Sequence, residues 1–357
     1  MIELRQGNLL EADAEALVNT VNCVGVMGKG VALQFKQAFP ENFRRYEQAC
    51  RAKEVQPGRM FIVETGRLSN PKYIINFPTK RHWKGKARLE DIRSGLKTLI
   101  EEVKRLGIHS IAVPPLGCGN GGLEWAEVRP LIEAAFAQVP EVRTLLFSPQ
   151  AAPQAKSMPV ATVLPNMTRA RALLIHLMDR YRIPNYRLTL LEIQKLAYFL
   201  QVAGEPLRLQ YVKGQYGPYA ENLNHVLQRL EGHFLRGYGD RSRQAEISLL
   251  SGATTVASGV LANAPDARAR LDRVSRLIQG FETPYGMELL TTIHWVAQEE
   301  PRAAEDIAKM IAGVYEWNAR KRELLKREHI QKVWERLREQ GWLGHSSNFA
   351  VSAQAEK

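Results

Sequence analysis

Cysteine is scarce: Cys23, Cys50 and Cys118 are the only three in 357 residues. An odd count with no CxxC spacing excludes a disulfide framework and a zinc site of the finger type. No apolar run approaches the ~18 residues that a membrane-spanning helix needs. The opening Met1-Ile2-Glu3-Leu4-Arg5 lacks the basic, then apolar, then small-residue order of a signal peptide. A reducing cytoplasm is therefore expected, with no membrane partner. Acidic charge is in the minority, since 37 Asp plus Glu face 49 Lys plus Arg and leave a net charge of +12. That balance suits a phosphate-bearing partner, either nucleotide or nucleic acid. What is present, 45% hydrophobic and 24% charged residues, fits a globular chain of about two domains, each with its own core.

The first 150 residues alternate short and long apolar patterns. Strand-like runs rich in β-branched or aromatic residues fall at 2–5, 16–21, 60–63, 73–77, 110–114 and 143–147. Between them, 31–39, 41–51, 89–106 and 125–138 carry helical spacing, as in Ile92, Leu96, Leu99, Ile100 and Val103. Strands alternating with helices predict an α/β domain over 1–150 with a mixed, largely parallel sheet covered on both faces. Ligands of such sheets sit beyond the carboxyl ends of the strands. Prolines 149, 153, 159 and 165 then mark a linker over 151–166, semi-extended because proline fixes φ and removes a donor. Val160-Ala161-Thr162-Val163-Leu164 leaves open an ordered loop with an edge strand.

Helix signals dominate over 167–345. Leu173, Leu174, Leu177, Met178 and Tyr181 form one stripe, and Thr189-Leu190-Leu191-Glu192 opens the next helix as a capping box. Further helices are expected at 219–231, 265–280, 284–298, 303–311 and 329–340. This half holds no His, Cys or carboxylate cluster of catalytic spacing, which assigns it binding and not chemistry.

Two glycine loops are the most informative feature. Val18-Asn19-Thr20-Val21-Asn22-Cys23-Val24-Gly25-Val26-Met27-Gly28-Lys29-Gly30-Val31 runs from a strand into a helix, and so does Pro115-Leu116-Gly117-Cys118-Gly119-Asn120-Gly121-Gly122. Glycine lets a backbone approach a phosphate closely, and helix-start N–H groups are ready donors. Two such loops can grip a diphosphate from both sides. In the first loop Gly25-x-x-Gly28-x-Gly30 reverses the spacing of a dinucleotide fingerprint, and no GxxxxGK[ST] sequence occurs in the chain, so hydride transfer and triphosphate hydrolysis have no support.

Asn19-Thr20-Val21-Asn22 with Gly28-Lys29-Gly30-Val31-Ala32 and Gly117-Cys118-Gly119 resembles the macrodomain family, the ADP-ribose-binding fold, over about residues 1–148. The resemblance implies an α/β macrodomain followed by a mainly α-helical second domain. It implies ADP-ribose contacts at Asn8, Leu9, Asn22, Gly28, Gly30, Val31, Gly117, Cys118, Gly119, Asn120 and Gly121. Asn8 stands where many relatives have the aspartate that accepts from adenine. Asn22 would hold the distal ribose, with loop capping as the competing role.

Asn76-Phe77-Pro78-Thr79-Lys80 is similar to the macrodomain subgroup that hydrolyses ADP-ribose linkages with a lysine. By that likeness Lys80, as a neutral amine, attacks the anomeric carbon and expels a thymine of DNA, with Arg81, Lys84 and Lys86 as cations that lower its basicity. No cofactor or metal is implied. The aspartate that some relatives place after Gly-Cys-Gly is absent, since Asn120-Gly121-Gly122 follows here. His82 and Trp83 would meet single-stranded DNA next to the modified base, or else simply pack on the surface. Tyr211-Val212-Lys213-Gly214-Gln215-Tyr216-Gly217-Pro218-Tyr219 resembles a helical domain shared by several antitoxins, which implies a cognate DarT toxin as partner. The expected function is an antitoxin that frees ADP-ribosylated thymidine in DNA; a non-catalytic ADP-ribose reader and a toxin-sequestering protein are the alternatives. Charge bears on the last of these. Residues 1–155 hold 21 basic and 16 acidic side chains and the remainder 28 and 21, so a wholly DNA-mimicking second half is disfavoured.

Overall fold

Each apolar run of the first 150 residues becomes a strand: β1 (Ile2–Arg5), β2 (Ala16–Asn22), β3 (Phe61–Glu64), β4 (Tyr73–Lys80), β5 (Ser110–Val113) and β6 (Arg143–Phe147). In this computed structural model the described residues are 1–28, 30–149, 158–181, 188–238 and 246–344. They divide into two units, Met1–Val163 and Leu164–Lys357. The sheet order is β1-β6-β5-β2-β4-β3, parallel throughout except for β3 against β4. This is the mixed, mostly parallel macrodomain sheet.

β4 runs past the expected end at Phe77 because Pro78 lies beyond the last residue that β3 pairs, Asn76. A proline is tolerated where no second strand needs its N–H. Between Val21 and Asn22 the β2–β4 register then shifts, so that Asn22 pairs with Lys80.

Helices α1 (Gly30–Ala38), α2 (Pro40–Arg51), α3 (Leu89–Leu106) and α4 (Trp125–Phe136) cover both faces. The strand period of two decides which residue faces which layer. Val18, Ile75, Phe77, Ile111, Val113 and Leu146 pack with α3 and α4. Their neighbours Leu17, Ile74, Ala112 and Leu145 pack with Phe35 and Ala38 of α1. A Cβ at Gly95 of α3 would stand 2.3 Å from the Phe77 ring, so helix and strand approach closely only because that side chain is missing.

Residues 151–157 of the expected linker lie outside the described residues. From 158 the chain lies on the first unit: Met158 is buried, and Ala161 N donates to Gln37 O of α1 at 2.8 Å. Residues 160–164 form no strand.

The second unit is helix-rich, with α5 (Arg169–Tyr181), α6 (Leu190–Val202), α7 (Leu223–Leu230), α8 (Ala253–Leu261), α9 (Pro265–Ile278), α10 (Pro284–Glu299), α11 (Ile307–Trp317), α12 (Ala319–Leu324) and α13 (Arg327–Glu339). The capping box before α6 is formed on both sides, Thr189 N to Glu192 Oε2 at 2.8 Å and Glu192 N to Thr189 Oγ1 at 3.4 Å.

Two expectations fail. The helix expected from 219 starts at Leu223, because Tyr219 and Ala220 belong to a hairpin of β7 (Tyr211–Gly214) and β8 (Gly217–Ala220). The helix expected over 303–311 is broken: Pro301–Ala304 is a 3-10 turn, and the Asp306 side chain caps α11 by accepting from Ala308 N and Lys309 N. α8, rich in Ala, Thr and Gly, has no strong apolar period and was not anticipated. Among the described residues no helix is long and apolar enough to cross a membrane, and no group of His, Cys, Asp and Glu is placed to hold a metal.

Candidate active site

Lys80 closes β4 at the carboxyl edge of the sheet, in register with Asn22 at the end of β2. Its Nζ donates to the Asn120 carbonyl at 2.8 Å and to the Trp83 carbonyl at 3.2 Å. The amine thus lies between the turn that follows its own strand and the second glycine loop.

That loop is built by its own backbone. Leu123 N donates to Gly117 O at 3.1 Å, Gly122 N to Gly119 O at 3.1 Å, and Ala87 N to Gly121 O at 3.0 Å. A Cβ at Gly121 would stand 2.2 Å from Gly117 O. Gly121 is therefore glycine for the closure of the loop itself, whereas Gly119 faces open space and is exposed.

The first loop meets the second where a Cβ at Gly30, with φ of +51°, would stand 3.1 Å from Asn120 Nδ2. Gly28 is buried just ahead of it, and Val31 is half-buried against the core under α1. Lys29 lies outside the described residues. The start of α1 and the exposed Gly119-Asn120 corner are thus neighbours, and a phosphate at the helix start would find backbone donors.

Asn22 is 6% exposed and works locally. Its Oδ1 accepts from Val24 N at 3.0 Å, Val26 N at 3.3 Å and Tyr46 Oη at 3.3 Å, while Nδ2 donates to Val26 O at 2.5 Å. Both ends of the amide organise the loop over 23–27. Tyr46, from α2, also donates to Asn22 O at 2.6 Å, and burial pushes its hydroxyl well above the usual tyrosine range.

Behind the site, Asn19 Nδ2 donates to Asn76 Oδ1 at 2.9 Å, and Asn76 Nδ2 to Asn42 Oδ1 at 2.7 Å and Phe61 O at 3.0 Å. This buried amide cluster ties β2, β4 and α2 together. Neither Tyr46 nor Asn42 was picked out from the sequence. The available signal was two asparagines, 19 and 76, inside otherwise apolar strands.

Of the cations expected beside Lys80, Arg81 is paired bidentately with Asp91 of α3, at 2.6 and 3.0 Å. Lys84 is exposed, its Nζ 5.0 Å from the centre of the Trp83 ring, and Lys86 is exposed. His82, exposed, stacks on half-buried Trp83 at 5.6 Å and 28°. The turn after Lys80 thus presents aromatic and basic groups together.

The thiols are poor nucleophiles. Burial pushes Cys118 up to about 11, and burial followed by the neighbouring Cys50 pushes Cys23 up to about 11, so both stay protonated at neutral pH. Glu124 is exposed and sits at the N-cap of α4 without a side-chain cap bond.

Asn8 lies at the far end of the sheet and caps a short turn, its Oδ1 accepting from Leu10 N at 3.0 Å and its Nδ2 donating to Glu11 Oε1 at 3.0 Å. Leu9 is buried beneath it. A cavity of about 480 Å³ opens at the carboxyl ends of β1 and β6, lined by residues that include Gln6, Trp125, Arg129 and Ser148. Its β6 side lies three strand spacings from β4 in the sheet order, roughly 14 Å at about 4.8 Å per strand.

Comparison with known proteins matches residues 18–132 to the macro domain family. A DNA ADP-ribosyl glycohydrolase of Thermus aquaticus is 47% identical over 96% of this chain and 94% of its own length. A DNA ADP-ribosyl transferase–DNA ADP-ribosyl glycohydrolase fusion protein of Thermosipho africanus is 39% identical over 37% of this chain and 38% of its own length. Among solved structures, the macrodomain of Mycobacterium tuberculosis DarG is 55% identical, with a TM-score of 0.42, covering 42% of this chain and 99% of that one.

Proposed function

Because the chain belongs to the DarG family of DNA ADP-ribosyl glycohydrolases, we propose that it removes ADP-ribose from thymidine in single-stranded DNA with Lys80 as nucleophile. The second unit, on this reading, binds and neutralises a cognate DarT transferase in the cytoplasm, which agrees with the transferase–glycohydrolase fusion among its relatives. The observation that carries the catalytic part is the position of Lys80 Nζ, at the carboxyl edge of the sheet with two carbonyls around it.

A neutral amine has two N–H bonds and one lone pair. On this reading Lys80 holds its nitrogen at the edge of the sheet by donating to the Asn120 and Trp83 carbonyls, and its lone pair meets the sugar. The lone pair bonds to the anomeric carbon as the bond to the thymine nitrogen breaks, and the electrons of that bond leave on the imide, delocalised over its carbonyls. The departing base takes up a proton, and water then displaces the lysine from the sugar. Asn120-Gly121-Gly122 supplies no carboxylate; a leaving group that carries its own charge makes little demand for one.

On the same reading ADP-ribose runs along the carboxyl edge of the sheet. The diphosphate lies between 28–31 and 117–121, with Gly119 as the open position. The distal ribose lies at Asn22 and Lys80, and the adenine toward Asn8, Leu9 and the cavity beyond. His82 and Trp83 take the flanking bases by stacking.

A non-catalytic reader is favoured only by the missing carboxylate, while relatives alignable over nearly the whole chain are DNA ADP-ribosyl glycohydrolases. Lys80→Ala separates the two readings. It should bind ADP-ribose with an unchanged or slightly weakened Kd and release no ADP-ribose from a modified oligonucleotide, followed by chromatography. Full release by that variant removes the lysine mechanism.

A further inference from the structure

The β7–β8 hairpin of the second unit has two edges that are treated differently. Its register sets Tyr211 opposite Ala220, Val212 opposite Tyr219, Lys213 opposite Pro218 and Gly214 opposite Gly217. Side chains of α6 occupy the outer edge of β8. Gln194 Oε1 accepts from Ala220 N at 2.9 Å and its Nε2 donates to Ala220 O at 2.9 Å, as a third strand would, and Lys195 Nζ donates to Pro218 O at 2.5 Å.

Antiparallel pairs alternate between bonding inward and pointing outward. Since Ala220 and Pro218 point outward, so do the residues opposite them, Tyr211 and Lys213. No other described group bonds the main chain of Tyr211 or Lys213. Val212 between them is 49% exposed.

This edge is also held in shape before any partner arrives. An isolated hairpin is marginal in water, but Trp317 Nε1 donates to Gly214 O at 2.9 Å and Asn318 Nδ2 to Gln215 O at 3.2 Å. Buried Gln194 and Lys195 fix the other side.

We propose that the outer edge of β7 is where the second unit receives an extended polypeptide segment of its transferase partner, as a third strand of the hairpin. The occupant follows from the chemistry. Lys213, which is exposed, and Tyr211, 4% exposed, each turn one donor and one acceptor outward, repeating every two residues, about 6.8 Å apart. A polypeptide backbone matches that alternation, whereas a DNA phosphate backbone offers acceptors alone. Exposed Val212 then asks for an apolar cross-strand neighbour. This rests on the toxin-binding reading of the second unit.

The test uses the full chain and the purified cognate transferase. Lys213→Pro removes one outward N–H and crowds the incoming strand, yet the hairpin already accepts a proline in the same register at Pro218. Lys213→Ala removes only the side chain and its pair with Glu299. Wild type and Lys213→Ala should bind alike by calorimetry, with Lys213→Pro at least tenfold weaker. Equal binding by all three, or equal weakening of both variants, overturns strand addition. Hydrogen exchange on the unmutated protein gives the second measurement: the Lys213 amide should become protected in the complex, and unchanged exchange overturns the proposal. A wild-type chain that binds no transferase overturns the toxin-binding reading itself and this one with it.

Discussion

Tyr46 shows how a residue without reactive chemistry can shape the candidate site. Its hydroxyl reaches Asn22 O and Asn22 Oδ1, and Asn22 in turn holds the loop over 23–27. Tyr46→Phe leaves a buried carbonyl without its donor, which costs about 1 to 2 kcal/mol. Urea denaturation should show that loss, and calorimetry should show a several-fold weaker Kd for ADP-ribose because the loop loses its brace. An unchanged Kd would confine Tyr46 to stability alone. The place of Lys80 at a strand end was legible in the sequence from Asn-Phe-Pro-Thr-Lys. Tyr46 was not, since its contact with Asn22 joins α2 to β2 across 24 positions and no local pattern records such a pairing. Asn8 and Asn22 were legible as positions, but their local hydrogen bonds emerge only once the turns are built.

At the level of elements, the Arg81–Asp91 clamp fastens the exit of β4 to the first turn of α3. Asp91→Ala frees a guanidinium one residue from Lys80. Single-stranded DNA should then bind with a steeper salt dependence, by about 0.7 in the log–log slope for each phosphate newly met, as read by fluorescence anisotropy over a salt series. An unaltered slope would mean that Arg81 does not face the strand. The six strands of the first unit were legible because alternation and length coincide there. The β7–β8 hairpin was hidden because Gly-Pro reads as a turn before a helix, whereas Pro218 here occupies an outward strand position whose missing N–H disrupts nothing. The break before α11 was hidden because Asp306 follows Glu305, and such an acidic pair reads as surface charge as readily as it reads as a helix cap.

Across the whole molecule, the two units respond differently to pH. In the second, Lys195 is wholly buried; burial, then repulsion by Lys321, lowers it from 10.5 to about 7, with Glu288 opposing. Lys321, lowered by burial, bonds Glu288 Oε1 at 2.7 Å, and Arg320 bonds the same oxygen at 2.6 Å. Between pH 7 and 10.5 the unfolded chain therefore carries a proton on Lys195 that the folded chain has released. Stability of that unit rises with pH across this window and is flat below it as far as this group decides. Lys195→Met should remove up to about 1.4 kcal/mol per pH unit of that slope, visible as urea midpoints that climb less steeply from pH 7 to 8.5. An identical climb in the variant would place the titration elsewhere. The net charge of +12 also gains a partial account, for several cations of the second unit are internal: Lys195 and Lys321 are buried, and Arg320 is paired.

The contact between Phe77 and Gly95 can be understood as a tolerance. The strand that ends in Lys80 has not even a methyl group of slack beneath α3. Growth at position 95 either lifts α3, together with Asp91 and its hold on Arg81, or displaces Phe77, and either movement arrives three residues later at the amine. The gauge of the candidate site is thus kept by a helix interior that lies away from it.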